Sequence, residues 1–152
     1  MAVMPVEEKK LIQATPGVFE IKGDQAYLIG TKCSHCGAFF FPPRYVCTYC
    51  LTDEGVERVR LGNKGDLYAF TTIHVSSKEF KAPYLFGYVV LDQERIQVPA
   101  WITGVKNQEA LKIGMKMEMV VEEWMGREDN TSFMIYKFRP IFNEHKNTES
   151  QQ

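Results

Sequence analysis

The sequence predicts a mainly β protein: an N-terminal zinc ribbon, then a five-stranded barrel of the oligonucleotide/oligosaccharide-binding (OB) type, with a short N-terminal helix. Two observations predict this arrangement. The four cysteines form two Cys-x-x-Cys pairs between residues 33 and 50. Beyond Gly62 the chain reads as five strand-like stretches, with a short helical segment before the fourth. We expect a helix and strand pair over 1–30, the ribbon over 31–60, the barrel over 61–142 and a disordered tail over 143–152.

Length and composition indicate a globular protein. The 152 residues suffice for one ordinary domain or for two small ones that share a core. With 45% hydrophobic and 24% charged residues, the chain is not of the disordered class. The formal net charge of -1 provides no long-range attraction for nucleic acid. Residues 1–10 lack the apolar core of a secretory signal and no apolar run could span a bilayer, so we expect a cytoplasmic protein.

The first elements are short. Residues 5–14 are predicted as a helix, because Pro5 suits a first helical turn and Glu7 and Glu8 suit the positive end of the helix dipole. So short and polar a helix is not stable alone, and we expect it to dock on a partner or fray. Two strands are predicted next, over 18–21 and 26–31, with a turn at Gly23 and Asp24.

The barrel strands follow from alternation and from apolar runs. Inward and outward positions alternate in three segments, a continuous apolar run of strand length forms another, and a stretch near the C-terminus completes the set. The predicted strands cover residues 67–75, 84–91, 96–102, 115–121 and 133–138. Asn107 is placed to cap a short helix over 107–113.

The cysteine spacing is the most specific signal. Ten residues separate the two Cys-x-x-Cys pairs, and thiolates at i and i+3 on a tight turn hold one edge of a metal tetrahedron. We therefore predict a structural zinc site, with iron in a rubredoxin-like site as the nearest alternative and a dithiol redox pair as a weaker one. Four thiolates fill the coordination sphere, so no chemistry is assigned to the metal. The predicted ligands are Cys33, Cys36, Cys47 and Cys50.

An aromatic segment lies between the two cysteine pairs. A ribbon this small has little core in which to bury Phe39, Phe40 and Phe41, so part of that surface must pack on the barrel or on another protein. Intramolecular packing is the simpler expectation for at least one ring. Lys32 and Arg44 flank the cysteines, either to offset the charge of the thiolates or as solvated surface cations.

No catalytic set is recognisable. The sequence has no Gly-x-Ser-x-Gly elbow and no phosphate-binding glycine loop, and a metal site would use all four cysteines. Single-stranded nucleic acid is a weaker possibility: aromatic residues could stack bases, but Lys78 and Lys81 are the only cations near them. The six aromatic residues are Tyr68, Phe70, Phe80, Tyr84, Phe86 and Tyr88.

Several short motifs occur in a characteristic order between residues 15 and 141. They are Phe41-Pro42-Pro43-Arg44, Gly65-Asp66-Leu67-Tyr68-Ala69-Phe70-Thr71, Pro83-Tyr84, Leu91-Asp92, Ile113-Gly114-Met115 and Phe138-Arg139-Pro140. With the cysteine pairs, they resemble the zinc-ribbon plus OB-fold family associated with acyl-CoA metabolism, formerly described as a domain of unknown function. One departure is the turn at 92–95, where many relatives carry a glycine-rich sequence.

The resemblance implies a non-catalytic accessory subunit that docks on an acyl-CoA enzyme and helps to shape its acyl-CoA site. Such members accompany thiolases, for example benzoylsuccinyl-CoA thiolase, or hydratases of the hotdog fold. Phe40, Phe41 and Arg44 are then candidates for contact with the partner or with CoA, since a guanidinium suits phosphate. A partner of a hotdog-fold enoyl-CoA hydratase and a stand-alone carrier of acyl-CoA or a lipid-like ligand are the alternatives.

Overall fold

A computed structural model describes residues 11–13, 16–75, 82–125 and 132–142, with backbone only for 11–13 and Met125. The described residues form ten strands and one short 3-10 turn. The strands are β1 (Leu11–Gln13), β2 (Phe19–Lys22), β3 (Gln25–Cys33), β4 (Phe39–Phe40), β5 (Val56–Arg60), β6 (Lys64–Ile73), β7 (Tyr84–Leu91), β8 (Gln97–Ile102), β9 (Lys116–Met125) and β10 (Ser132–Pro140).

Strands β6 to β10 close into the predicted five-stranded barrel. Strand β6 pairs antiparallel with β7 and β9, and β7 pairs antiparallel with β8. Strand β10 joins β9 in antiparallel register and β8 in parallel register, which closes the ring. The predicted fold class is therefore confirmed.

The barrel core comes from alternate residues of its strands. In β7, the buried residues are Leu85, Gly87, Val89 and Leu91, and the residues that alternate with them are more exposed. In β6 a bulge shifts the register between Leu67 and Ala69. The strict alternation expected from the sequence is interrupted there, and Phe70 packs against the core.

The ribbon is a small sheet centred on β3. Strand β2 pairs with the first half of β3, and β4 and β5 pair with its second half. The predicted strands over 18–21 and 26–31 correspond to β2 and β3. Strands β4 and β5 were not predicted, because β4 has only two residues and β5 alternates charged residues with valines too briefly to be distinctive.

The prediction of an N-terminal helix is wrong for the residues of that segment that the structure describes. Leu11–Gln13 form β1, which pairs in parallel with Ser132–Met134 of β10. An isolated short helix has little stability, and these residues gain backbone hydrogen bonds at the edge of the barrel instead. Residues 5–10 and Ala14 lie outside the described residues, as does the predicted tail over 143–152.

The helix predicted before the fourth barrel strand is shorter than expected. It is a single 3-10 turn over Gln108–Ala110. Asn107 caps it as predicted, because its side-chain oxygen accepts a hydrogen bond of 3.0 Å from the backbone N–H of Glu109. The described part of the chain contains no helix with the length and apolarity that a membrane crossing requires.

Ribbon and barrel share one hydrophobic core. Phe19 and Leu28 from the ribbon sheet, with Leu61 from the connection, belong to the same buried cluster as the barrel residues Leu67 and Phe138. The backbone N–H of Leu61 also donates to the carbonyl of Leu28 at 2.8 Å. The boundary predicted at residue 60/61 thus falls inside a shared core, and the division of the chain at that boundary stays a prediction.

Tyr136 of β10 connects the two parts directly. Its ring lies edge-on to Phe19, with centroids 6.4 Å apart, and to Phe41, with centroids 5.8 Å apart. Its hydroxyl donates a hydrogen bond of 2.7 Å to the carbonyl of Pro99. Burial raises the pKa of Tyr136 to about 12 from its ordinary value of 10.0.

This shift predicts a loss of stability at alkaline pH. Between pH 10 and 12 the unfolded tyrosine releases its proton and the folded one retains it, so the free energy of unfolding falls by about 2–3 kcal/mol across that range. Tyr136→Phe should remove this part of the loss in urea titrations at stepped pH values. Tyr68→Phe, which changes an exposed ring of the same barrel, is the control. The prediction would be contradicted if the free energy of unfolding of Tyr136→Phe fell with pH as steeply as that of the wild-type chain.

Candidate metal centre

Two turns of the ribbon carry the four cysteines. The first follows β3, where the N–H of Gly37 donates to the carbonyl of Cys33 at 2.8 Å. The second lies between β4 and β5, where the N–H of Leu51 donates to the carbonyl of Cys47, also at 2.8 Å. Both knuckles therefore use the same backbone turn, which brings the two cysteines of each pair to one side.

Backbone hydrogen bonds fix the knuckles to the rest of the ribbon. The N–H of Cys33 donates to the carbonyl of Ala38, and the N–H of Ser34 donates to the carbonyl of Gly55, both at 2.9 Å. Cys47 pairs with Thr52 in an isolated β-bridge. The positions of the cysteines are thus set by the backbone.

The four sulfur atoms lie within 4.8 Å of one another. Two opposite edges of the group join the knuckles: Cys33 Sγ to Cys50 Sγ at 3.9 Å, and Cys36 Sγ to Cys47 Sγ at 3.6 Å. A tetrahedral ion with metal–sulfur bonds of about 2.3 Å requires edges of about 3.8 Å. All four cysteines are free thiols, and the separations far exceed a disulfide bond. The donor set and its spacing therefore fit a tetrahedral metal ion.

The thiols have unequal acidity when no cation lies between them. Burial alone would raise the pKa of Cys47, but the backbone N–H groups of Cys50 and Tyr49 donate toward its sulfur and bring the pKa to about 7. The pKa of Cys50 rises to about 12, chiefly because of its hydrogen bond with Cys36. Four negative sulfurs cannot share this volume by themselves, whereas a divalent cation would stabilise all of them as thiolates.

The site is buried on one side and open on the other. Cys33 and Cys47 have no solvent exposure and form a small cluster with Phe40, whereas Cys36 and Cys50 are exposed. A bound ion would therefore be held from the interior by two sulfurs and covered from the solvent side only by the other two.

The three residues predicted to contact a partner have different surroundings. Phe40 is 8% exposed and stacks on Tyr49, with ring centroids 6.1 Å apart. Phe41 packs on Tyr136 of the barrel. Arg44 is exposed, and its guanidinium lies 5.6 Å from the centroid of Phe40. Both phenylalanines thus have intramolecular contacts, and the predicted role of the three residues in binding a partner or CoA stays a prediction.

The predicted charge balance of the metal by Lys32 and Arg44 also stays a prediction. The ammonium of Lys32 lies over the ring of Phe39, 5.2 Å from its centroid, and Arg44 lies over Phe40. Both cations therefore contact the aromatic segment between the knuckles.

The structure adds residues that the sequence reasoning missed. Tyr45, Val46, Tyr49 and Leu51, all from the second knuckle and the segment before it, are exposed by 91%, 47%, 75% and 81%. A signal was available in the sequence, since a leucine follows the second Cys-x-x-Cys where a glycine follows the first.

No catalytic group emerges from the described residues. His35 and His74 are both exposed, in the first knuckle and just after β6. The four described cysteines all belong to the candidate metal site. The described part of the chain therefore offers no assembled nucleophile and base.

Part of the aromatic barrel surface is packed against neighbouring aromatic rings, while Tyr68 and Tyr88 stay exposed. Tyr84 contacts Trp101 with centroids 5.2 Å apart, and Phe86 contacts Tyr88 at 6.1 Å. Phe80, Lys78 and Lys81, on which the nucleic-acid hypothesis partly depends, lie outside the described residues. Nucleic-acid binding gains no support from these contacts.

Two family models match the chain. One, described as the ChsH2 rubredoxin-like zinc ribbon domain, matches residues 22–56. The other, described as the ChsH2 C-terminal OB-fold domain, matches residues 58–122. The first match contains all four cysteines, and the second runs from β5 of the ribbon sheet through the barrel strands β6 to β8 into β9.

Three relatives are similar to this chain over at least 80% of their own length. A DUF35 domain-containing scaffold protein of Methanocaldococcus jannaschii is 34% identical over 121 residues, which are 76% of this chain and 83% of that protein. The benzoylsuccinyl-CoA thiolase subunit BbsA of Thauera aromatica is 31% identical over 119 residues, 78% of this chain and 80% of the relative. BbsA of Geobacter metallireducens is 30% identical over 128 residues, 83% and 84% of the two chains.

One solved structure has the same fold. A chain of the Ltp2–ChsH2(DUF35) aldolase superimposes with a TM-score of 0.58 at 21% identity, covering 75% of this chain and 84% of that chain. At this identity the likeness supports the architecture of ribbon plus barrel and nothing finer.

Proposed function

Because the chain belongs to the DUF35 family of ChsH2-type zinc-ribbon and OB-fold proteins, we propose that it is a non-catalytic accessory subunit of a cytoplasmic acyl-CoA-processing enzyme. The enzyme we propose is a thiolase. The observation that carries the proposal is similarity to two thiolase subunits over at least 80% of their length. The relative named as a scaffold protein supports a role in assembling an enzyme complex.

The site chemistry supports a role without catalysis by this chain. Four cysteine sulfurs fill a tetrahedral sphere, so an ion held there has no open position for a substrate. We propose zinc as that ion, with Cys33, Cys36, Cys47 and Cys50 as its ligands, because a four-thiolate ribbon is a common structural zinc site. The ion would then stabilise the ribbon, and the reacting groups would come from the partner enzyme.

Arg44 is our candidate for a contact with the enzyme subunit or with CoA. Its guanidinium is exposed and is held beside Phe40, and the backbone N–H of Arg44 donates to the hydroxyl of Thr31 at 3.1 Å. A guanidinium can bind a phosphate oxygen pair or a carboxylate with two hydrogen bonds. The ring of Phe40 lies against the guanidinium, so we propose that Phe40 acts by positioning Arg44.

Co-expression tests the proposed function. The full chain, carrying an affinity tag, is produced with each thiolase-type subunit encoded in the same genome, and the purified material is analysed by size-exclusion chromatography with light scattering. We expect a stable complex of fixed stoichiometry with one thiolase subunit, and thiolase activity that requires both chains. A chain that remains free beside every thiolase subunit would contradict the proposal, as would thioester turnover by the isolated chain.

Two further experiments address the alternatives. A hotdog-fold hydratase included in the panel would reveal that kind of partner. Titration of the isolated chain with an acyl-CoA should give weak binding if the site requires the partner, whereas tight binding without an enzyme subunit would indicate a stand-alone carrier.

A further inference from the structure

The two knuckles differ at one equivalent position. Gly37 follows Cys36 with φ of 75°, and Leu51 follows Cys50 with φ of 55°. The N–H of each residue donates to the carbonyl of the first cysteine of its own pair at 2.8 Å. Glycine adopts this left-handed conformation freely, but the Cβ of a leucine crowds the backbone there. Folding of the knuckle alone would therefore favour glycine at position 51.

Burial does not compensate for this strain. Leu51 is 81% exposed, so its side chain gains little hydrophobic stabilisation within the chain. A strained residue persists when the surrounding structure fixes it, and such residues are often functional. A strained, exposed leucine indicates that the side chain is used in a contact outside this chain.

Leu51 lies within a larger apolar area. We define the knuckle surface as Tyr45, Val46, Tyr49 and Leu51, which are exposed by 47% to 91%. Tyr49 stacks on the buried ring of Phe40, so part of this surface is already ordered before any partner binds. An exposed tyrosine that is held in place by a buried ring beneath it is typical of the residues that contribute most to protein interfaces.

Arg44 borders the knuckle surface on the side of the ribbon sheet, because its guanidinium lies over Phe40. Phe40 of β4 and Arg58 of β5 pair with Thr31 on opposite edges of β3, and the Arg58 guanidinium donates a hydrogen bond of 2.9 Å to the carbonyl of Gly17. Arg60 shares this face of β5 and is paired with Glu20. Two exposed carboxylates, Asp53 and Glu54, follow Leu51 in the chain.

We propose that the knuckle surface is where this chain docks on its enzyme subunit, an inference that rests on the proposed function. The occupant is an apolar pocket of the enzyme subunit that receives Leu51 and Tyr49. Carboxylates of that subunit border the pocket on the side facing Arg44. Arg44 supplies the charge complementarity, and the tyrosines and leucine supply the buried area.

The same contact would cover the open side of the metal site. Cys50 lies between Tyr49 and Leu51 in the chain, and both Cys50 and Cys36 are exposed. A docked enzyme subunit therefore shields the two sulfurs that solvent and chelators reach in the isolated chain. Release of metal to a chelator should be slower in the complex than in the free chain.

Leu51→Gly tests the proposal, because a structural role and a docking role predict opposite results. The substitution restores the residue found at the equivalent position of the first knuckle. It should leave the melting temperature and the metal content unchanged or raise the melting temperature. It should weaken binding to the thiolase subunit that co-purifies with the wild-type chain on the order of 10-fold or more, measured by calorimetry.

Tyr49→Ala should weaken the same binding. The matched controls are Ile113→Ala and Tyr68→Ala, which remove exposed apolar groups from the barrel side, 63% and 56% exposed, and should leave the dissociation constant unchanged. Hydrogen exchange on the wild-type complex should show protection of residues 44–52.

The outcomes are distinguishable. If the wild-type chain binds no enzyme subunit, the proposed function fails and the docking proposal fails with it. If the wild-type chain binds but Leu51→Gly binds equally well, the docking proposal is overturned and the proposed function stands. Loss of metal or a lower melting temperature in Leu51→Gly would show a structural role for the leucine and overturn the proposal. Self-association of the isolated chain that Leu51→Gly abolishes would identify a second copy as the occupant, and would overturn it too.

Discussion

Replacing Cys36 or Cys47 by serine should remove the metal and unfold the knuckles of the ribbon. A structural zinc ion contributes on the order of 10–16 kcal/mol to the folding of small zinc-binding peptides, far more than a single packing contact. Among the described residues, the buried cluster of the knuckles consists of Cys33, Phe40 and Cys47, so hydrophobic burial alone stabilises the two turns little. We therefore expect the ligand substitutions to have the largest effect of any single change in the ribbon.

Two variants separate the loss of a ligand from the loss of packing. Cys47 has no solvent exposure, whereas Cys36 is exposed and contributes little to packing. If metal binding is the cause, both variants should lose the ion to a similar degree, measured by elemental analysis. Both should lose hydrogen-exchange protection over residues 33–56. Thr48→Ser, at an exposed position inside the second knuckle, is the control and should retain one ion per chain.

The wild-type measurement also distinguishes the candidate metals. We expect one zinc ion per chain and no visible absorption, whereas iron bound by four thiolates is coloured. Natively folded protein without bound metal would contradict the assignment of the site. So would a Cys36→Ser variant that keeps both its fold and a full complement of metal.

The candidate metal site could be predicted because its signal is local. Thiolate ligands on a tight turn require the spacing i and i+3. The two cysteine pairs, Cys33 with Cys36 and Cys47 with Cys50, have this spacing in the sequence. The strands of the barrel could be predicted for a related reason, since a strand with one buried face alternates and a short apolar run has the length of a strand. Strand β7, predicted from such a run, has the same bounds in the structure.

Other features depend on contacts distant in sequence. Leu11–Gln13 form a strand only because the edge of β10 is available to them. The bulge in β6 and the two-residue strand β4 are likewise defined by their partners, β7 and β3. The importance of Tyr136 could not be read from its position in an alternating strand, because its two ring contacts come from β2 and from the segment between the knuckles.

Leu28→Ala should destabilise the ribbon and the barrel together. Leu28 has no solvent exposure and belongs to the buried cluster that includes Leu67 and Phe138 of the barrel. Truncating a buried leucine costs about 2–5 kcal/mol, because the apolar contact is lost and a cavity remains. For a chain of this size, that cost corresponds to a decrease in melting temperature of roughly 5–15 °C.

Two probes report on the two parts separately. Both tryptophans of the chain, Trp101 and Trp124, lie in barrel strands, so their fluorescence follows the barrel. Release of metal to a colorimetric chelator follows the ribbon. Ile21→Ala, which truncates a 49% exposed side chain on β2, is the matched control and should change the free energy of unfolding by no more than about 0.5 kcal/mol.

If the shared core makes one cooperative unit, fluorescence and metal release should report the same transition in the wild-type chain, and Leu28→Ala should shift both equally. Separate transitions, or a shift confined to one probe, would show that ribbon and barrel are independent modules. The result bears on function, because a docking surface on the second knuckle can orient the barrel relative to an enzyme subunit only if the connection is rigid. The contacts of Tyr136 with Phe19 and Phe41, together with the buried position of Leu28, are the features that would provide this rigidity.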